Sequence, residues 1–111
     1  MVNISSIYPN KAGGRFDFDY YLNTHMPMSI DRLSGGKGFK GVSVERGERI
    51  ESLNIDSAFV AMCHYYFASL EDFLAAFLPH AEELQGDVVH YTDIAPIIQI
   101  NRVEISQWSA G

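Results

Sequence analysis

The sequence has little cysteine and no long apolar run, and each shortage excludes a class of protein. Among its 111 residues there is one cysteine, Cys63, which excludes an internal disulfide framework and a zinc cluster built on cysteines. No apolar stretch approaches the roughly 20 residues that a membrane-spanning helix requires. The first residues, MVNISSIYP, lack the basic and apolar regions of a secretion signal, so we expect a cytoplasmic protein.

Positive charge is also scarce. Eight lysines and arginines stand against fourteen aspartates and glutamates, which gives a formal net charge of −6. A nucleic-acid-binding protein needs a cationic stripe that replaces phosphate counterions, and none is visible. We therefore expect no nucleic-acid and no membrane partner. The hydrophobic content of 47 % and the charged content of 20 % are typical of a globular protein, and the length suits a single domain over 1–111.

Six segments with the periodicity of strands and helices follow one another in the order β-α-β-β-α-β. Strands are predicted at 2–8, 39–49, 58–67 and 94–105, and helices are predicted to begin after the caps Asp17 and Ser69. With short connections and right-handed crossovers, this order gives an α+β, ferredoxin-like βαββαβ fold. The prediction is a four-stranded antiparallel sheet, in spatial order 4-1-3-2, with both helices on one face.

The third predicted strand, AFVAMCHYYF (58–67), is largely apolar on both of its alternating faces. Its one thiol, Cys63, is expected to be a small buried hydrophobic group. Helices cover only one face of the sheet, and each large apolar side chain left in water would forgo roughly 1.5–3 kcal/mol. We therefore expect the open face to pair with a second sheet, which makes a homodimer the predicted assembly.

The stretch FDFDYYLNTHMPMSID (16–31) combines an amphipathic helix with a histidine and a proline. Phe16 and Tyr21 have the spacing of a hydrophobic staple, and His25 shares the buried stripe with Tyr21. Pro27 lacks a backbone donor and is expected to kink the helix near 24–26. Two interpretations of His25 stay open here: a general acid or base, or a neutral buried histidine bonded to carbonyls that the kink frees.

Several motifs together resemble the EthD family, small proteins named after a component of ethyl tert-butyl ether degradation. They are Tyr8-Pro9, Phe16-Asp17, Tyr20-Tyr21-Leu22, His25-Met26-Pro27 and the closing segment His90-Tyr91-Thr92-Asp93-Ile94 with Pro96 and Gln99. The resemblance implies a ferredoxin-like fold that pairs into a dimeric α/β barrel. Similar barrels include cofactor-independent monooxygenases, isomerases, cyclases and ligand-binding proteins, so the fold alone does not choose a reaction. One departure is His90, where the family often has asparagine.

The candidate site residues follow from chemistry and position. His25 is the candidate catalytic residue, and Tyr21 lies one turn earlier, where its hydroxyl can orient a substrate. His64 and Tyr66 share one side of the third strand. If that side faces the helices, His64 and His25 line one cavity, and if it faces a partner sheet, they do not meet.

The closing segment supplies the remaining candidates. Tyr91 and Gln99 are predicted to contact a ligand, although Gln99 has the alternative of bonding to a neighbouring strand. Asp93 precedes a strand and is interpreted as the cap of a turn. The four histidines show no i, i+4 pair and no adjacent cysteine ligand, so we expect no metal site and no cofactor.

Three functions are compatible with the sequence. The first is a cofactor-independent enzyme, an oxidoreductase of the monooxygenase type or an isomerase or lyase, that acts on a small hydrophobic or aromatic molecule with His25 as general acid/base. The second is a non-catalytic protein that binds such a molecule, or an accessory protein of an oxygenase degradation system. The third is a module whose only task is dimerisation.

Overall fold

A single antiparallel sheet of four strands organises the structure. The computed structural model describes residues 1–109. The strands are β1 (Val2–Pro9), β2 (Phe39–Arg46), β3 (Phe59–Phe67) and β4 (Ile97–Arg102), in the spatial order β2-β3-β1-β4. This is the 4-1-3-2 order of the ferredoxin-like fold, so the predicted α+β topology is confirmed.

The helical layer consists of two regions that follow β1 and β3. The first region comprises α1 (Phe18–Tyr20), a π-helical turn (Tyr21–His25) and α2 (Met26–Ser34). The second comprises α3 (Leu70–Phe77), a 3₁₀ turn (Leu78–His80), α4 (Ala81–Gly86) and a second 3₁₀ turn (Val88–His90). In residues 1–109, no helix is long and apolar enough to cross a membrane.

Two strands are shorter than predicted. β2 ends at Arg46 rather than at residue 49, and β4 covers Ile97–Arg102 rather than 94–105. The late start of β4 has a local cause, since the hydroxyl of Thr92 accepts a hydrogen bond from the amide of Ile94 and holds that segment in a turn. Pro96 then follows without a backbone donor, so regular pairing begins only after it.

Both predicted helix caps are present. The side chain of Asp17 accepts a hydrogen bond from the Tyr20 amide at 3.1 Å, and Ser69 accepts one from Asp72 at 3.1 Å. The ring centroids of Phe16 and Tyr21 lie 5.0 Å apart, as a hydrophobic staple requires. Local hydrogen bonds therefore fix where each helical region begins.

The helix accommodates Pro27 by a π-helical turn immediately before it. The amide of Met26 bonds to the carbonyl of Tyr21, five residues back, which widens the turn by one residue. Because Pro27 has no amide hydrogen to donate, the irregular turn absorbs its effect without ending the helix. Tyr21 and His25 are both buried, and they stand at the two ends of this turn.

The two sides of β3 have different environments. Its odd-numbered residues Ala61, Cys63, Tyr65 and Phe67 are buried under the helices, and Cys63 is the small buried group that the sequence predicts. The even-numbered residues from Val60 to Tyr66 are half-buried and lie on the open face of the sheet. Strand pairing places Ile4 and Tyr8 of β1 on the helical side and Ser5 on the open side.

The open face of the sheet is more polar than β3 alone indicated. His64 bonds to Ser5 at 2.7 Å and contacts Glu45 at 3.3 Å, so these side chains link β1, β2 and β3. The neighbouring amide of Asn101 donates to Asn3 at 2.8 Å. A partner sheet would therefore cover fewer apolar side chains on this face than the sequence of β3 predicts. The homodimer stays a prediction.

Candidate functional site

A cavity of about 220 Å³ lies between the sheet and the helical layer. Strands β1 and β3 form its floor, and the helical regions form its roof. Most of the wall is apolar, and it includes Ile4, Met26, Leu33, Phe73, Leu84 and Val88. The cavity reaches the surface beside β4, where Ile98 lines it and is 57 % exposed. A mostly apolar hollow with a few polar groups is the usual form of a small-molecule site.

His25 lines this cavity, and a carboxylate behind it fixes its orientation. The Nδ1 atom of His25 lies 2.8 Å from Oδ2 of Asp87, and the hydroxyl of Tyr20 donates to Oδ1 of the same carboxylate at 2.7 Å. Since an ionised carboxylate only accepts, the Nδ1–H group of His25 must be the donor. The neutral ring then has an unprotonated Nε2, and this atom is the one that can accept a proton in the cavity.

The pKa values of this pair favour a neutral imidazole beside an ionised carboxylate. Burial lowers the pKa of His25 below its ordinary value, and the hydrogen bond to Asp87 offsets only part of that effect. Burial alone would raise the pKa of Asp87, but hydrogen bonds from Tyr20 and His25 together outweigh it and lower the pKa. At pH 7 the arrangement is therefore that of a base held in place by a carboxylate.

Four tyrosines line the cavity, and three of their hydroxyls have partners. The hydroxyls of Tyr8 and Tyr91 lie 2.6 Å apart, and that of Tyr65 lies 2.6 Å from Oγ of Ser29. The hydroxyl of Tyr21 is buried, and in residues 1–109 it has no hydrogen-bond partner.

Two of these tyrosine rings enclose the imidazole. The ring of His25 is nearly parallel to that of Tyr21, with centroids 5.9 Å apart, and it contacts the ring of Tyr91 at 4.6 Å. Aromatic surfaces thus hold the imidazole in place and line the adjacent space.

The structure brings three of the six predicted site residues together. His25, Tyr21 and Tyr91 line the cavity. His64, Tyr66 and Gln99 do not, because the even-numbered positions of β3 and residue 99 of β4 belong to the open face of the sheet.

His64 and His25 therefore do not share a cavity in this chain. Of the two orientations left open for β3, the structure has the one that turns His64 away from the helices. Gln99 does not contact the cavity, and its amide donates to Asn101 of the same strand at 2.6 Å rather than to a neighbouring strand.

The side chain of Asp93 bonds to a distant loop instead of capping its own turn as predicted, and one site residue was missed. Asp93 accepts a hydrogen bond from the Arg15 amide at 2.8 Å, which lowers the pKa of Asp93 and ties two loops together away from the cavity. Asp87 was not recognised, because it lies 62 residues from His25 in sequence. The only local signal was an acidic residue in the segment QGDVVH, just after a glycine that ends a helix.

The pH dependence of stability should report on His25. A pKa lowered by folding means that the unfolded chain binds more protons, so the free energy of unfolding falls as the pH drops through about 6.5. Asp87 adds its own loss only below about pH 3.8. In urea unfolding between pH 8 and pH 5, we expect wild type to lose stability relative to His25→Asn. A difference that grows in favour of wild type at low pH would contradict this assignment, since it would mean that an ion pair with Asp87 dominates.

Searches of protein-family models and of curated proteins found no match to this chain. Solved structures do match. A crystal structure of an EthD-like protein from Ralstonia eutropha JMP134 is 40 % identical, with a TM-score of 0.84 over 96 % of this chain and 94 % of that one. A protein of the ethyl tert-butyl ether degradation (EthD) family from Bacillus halodurans C-125 is 20 % identical, with a TM-score of 0.68 over 93 % of this chain and 98 % of that one. HapK from Hahella chejuensis is 15 % identical, with a TM-score of 0.60 over the full length of both. The last two likenesses show a shared fold alone.

Proposed function

Because the chain belongs to the EthD family, we propose that it binds a small hydrophobic or aromatic organic molecule in the cavity and transfers a proton there through His25. Asp87 acts as a positioning residue that holds the reactive form of the ring. Proton transfer of this kind serves an isomerase or lyase directly. It also serves a cofactor-independent oxidation, whose first step is removal of a proton from an electron-rich substrate.

One observation carries this proposal: a neutral imidazole, oriented by a partly buried carboxylate, lines an apolar cavity. Nε2 of His25 is not fully enclosed by the described residues, so this nitrogen stays open to a ligand. In the described part of the chain, only Nδ1 of His25 has a hydrogen-bond partner. The family membership supports small-molecule binding in general terms and leaves the reaction open.

Nuclear magnetic resonance of protein labelled in its histidine rings tests the proposal. When a library of small apolar compounds is screened, binders should shift the ring signals of His25. His80, which follows Pro79 in the middle of the second helical region and does not line the cavity, provides an internal control whose signals should not move. Binders that leave His25 unchanged would show that the cavity is not the site.

The second candidate function is a non-catalytic binding protein, which the largely apolar wall also favours. The two functions differ in how they depend on pH. A general base should give a rate that falls as His25 is protonated, and burial moves that fall below the pH at which an ordinary histidine titrates, because it lowers the pKa of His25. Binding of an uncharged compound without chemistry should show no inflection there.

We further propose that the chain forms a homodimer through the open face of its sheet. The helices leave this face uncovered, and Ile7, Met62 and Ile97 lie together in one row across β1, β3 and β4. A symmetric pair would bury that row, while the polar side chains beside it already bond to one another. Sedimentation velocity should give a species of twice the chain mass, and Met62→Lys should convert it to monomer.

A further inference from the structure

The size, charge and hydrogen-bonding groups of the cavity together define a ligand class. We propose that it takes an uncharged one-ring carbonyl compound, whose oxygen accepts a hydrogen bond from Tyr21 and whose α-hydrogen His25 removes. The inference rests on the proposed function and specifies its substrate class.

The volume of the cavity limits the size of the ligand. A cavity of about 150 Å³ lined by apolar side chains accommodates benzene. The cavity here measures about 220 Å³, which leaves space for one ring and a short substituent. A second fused ring beside the same short substituent would exceed this volume on the same scale.

The side chains that line the cavity determine which charge a ligand can carry. No lysine, arginine, aspartate or glutamate lines the cavity in the described residues, and His25 is the residue there that titrates nearest to neutral pH. A carboxylate or phosphate would lose its hydration without gaining a counter-charge, which costs several kcal/mol. The ligand that fits is neutral.

The hydroxyl of Tyr21 supplies the specific contact. Its neighbour Cys63 has its pKa raised by burial to about 12, so the thiol is uncharged and a weak acceptor. The thiol is at best a weak partner for this hydroxyl, and a ligand oxygen would be a stronger acceptor for it than sulfur. Burial also raises the pKa of Tyr21, so the hydroxyl stays protonated and acts as a donor.

The pairing of this donor with the base defines a reaction. Nε2 of His25 takes a proton from the carbon next to the carbonyl, and the electron pair of that C–H bond forms a carbon–carbon double bond. The carbonyl π electrons move to oxygen, where the Tyr21 hydroxyl stabilises the enolate. The proton then returns to carbon, so the step is balanced and needs no oxidant or reductant.

A set of four compounds tests the class by isothermal titration. Acetophenone has the expected size, charge and acceptor. Ethylbenzene lacks its oxygen, benzoate replaces it with a carboxylate, and 2-acetylnaphthalene adds a ring. We expect acetophenone to bind most tightly. Equal or tighter binding of benzoate would overturn the neutrality of the class, and equal or tighter binding of 2-acetylnaphthalene would overturn its size.

The substitution Tyr21→Phe tests the hydrogen bond. It removes a hydroxyl that has no partner, so the variant should fold with an unchanged or slightly higher melting temperature. Affinity for acetophenone should fall by roughly three- to tenfold, while affinity for ethylbenzene stays the same. An equal change for both compounds, or none for acetophenone, would overturn the role of Tyr21.

Failure of this inference can be told apart from failure of the proposed function. If a charged or two-ring compound shifts the His25 ring signals and acetophenone does not, the proposed ligand class is wrong, but the cavity is still the binding site. If no compound of a broad library shifts them, the site itself is wrong.

Discussion

Replacing His25 with asparagine is expected to slow the exchange of the acetophenone methyl hydrogens with deuterium oxide by about 10²–10⁴-fold, the usual contribution of a positioned base. The asparagine amide can still donate to Asp87, so the partly buried carboxylate keeps a partner and the fold should survive. Proton magnetic resonance follows the loss of the methyl signal directly. Affinity for acetophenone should change little, because the contact through Tyr21 remains.

A matched variant, His80→Asn, makes the same change outside the cavity and should exchange acetophenone at the wild-type rate. Wild-type exchange by His25→Asn would exclude His25 as the base. A large loss of stability in that variant, with binding abolished, would instead favour the structural histidine that the sequence left as the alternative. Asp87→Asn completes the series: its expected effect is smaller, since it weakens the orientation of the ring and leaves the base itself in place.

Blocking the cavity should abolish binding without unfolding the protein. Ser6 lies on the helix-facing side of β1 and lines the cavity, opposite Cys63 of β3. The substitution Ser6→Phe places a benzene-sized ring in the space that a ligand would occupy. We expect affinity for acetophenone to fall by at least about 100-fold, the loss of roughly 3 kcal/mol of apolar burial. Because the ring fills existing space, the melting temperature should stay within a few degrees of wild type.

The control for this variant is Ser34→Phe, which adds the same ring at an exposed position where α2 ends. It should bind acetophenone as wild type does. If Ser6→Phe folds and still binds, the ligand lies elsewhere and the cavity is only a packing feature.

The sequence predicted the features that depend on local patterns. Alternation along β3, the caps Asp17 and Ser69, and the order of elements led to the correct topology. Each of these is a short-range signal: a side-chain period, or a hydrogen bond between residues three apart. The buried stripe that contains Tyr21 and His25 was likewise readable, even with a proline nearby.

The features that failed depend on contacts between distant segments. The alternation of side chains along β3 separates its odd-numbered from its even-numbered residues, but the sequence of β3 alone does not indicate which of these two sets faces the helices. Pairing with β1 would have indicated it, since Ile4 and Tyr8 alternate there with polar Asn3 and Ser5. Asp87 carries no local mark of its role, because its partnership with His25 exists only once the two helical regions pack together.

The irregular turn before Pro27 has a consequence for how chains of this kind diverge. A π-helical turn amounts to one residue inserted into an α-helix, and one residue corresponds to a rotation of about 100°. A variant that lost a residue from Tyr21–His25 would keep its sheet and its second helical region. In its first helical region, however, the parts before and after the deletion would be rotated relative to each other about the helix axis. His25 and Tyr21 would then no longer flank the same hollow. A single-codon deletion in this turn would therefore remove the arrangement on which the proposed proton transfer depends.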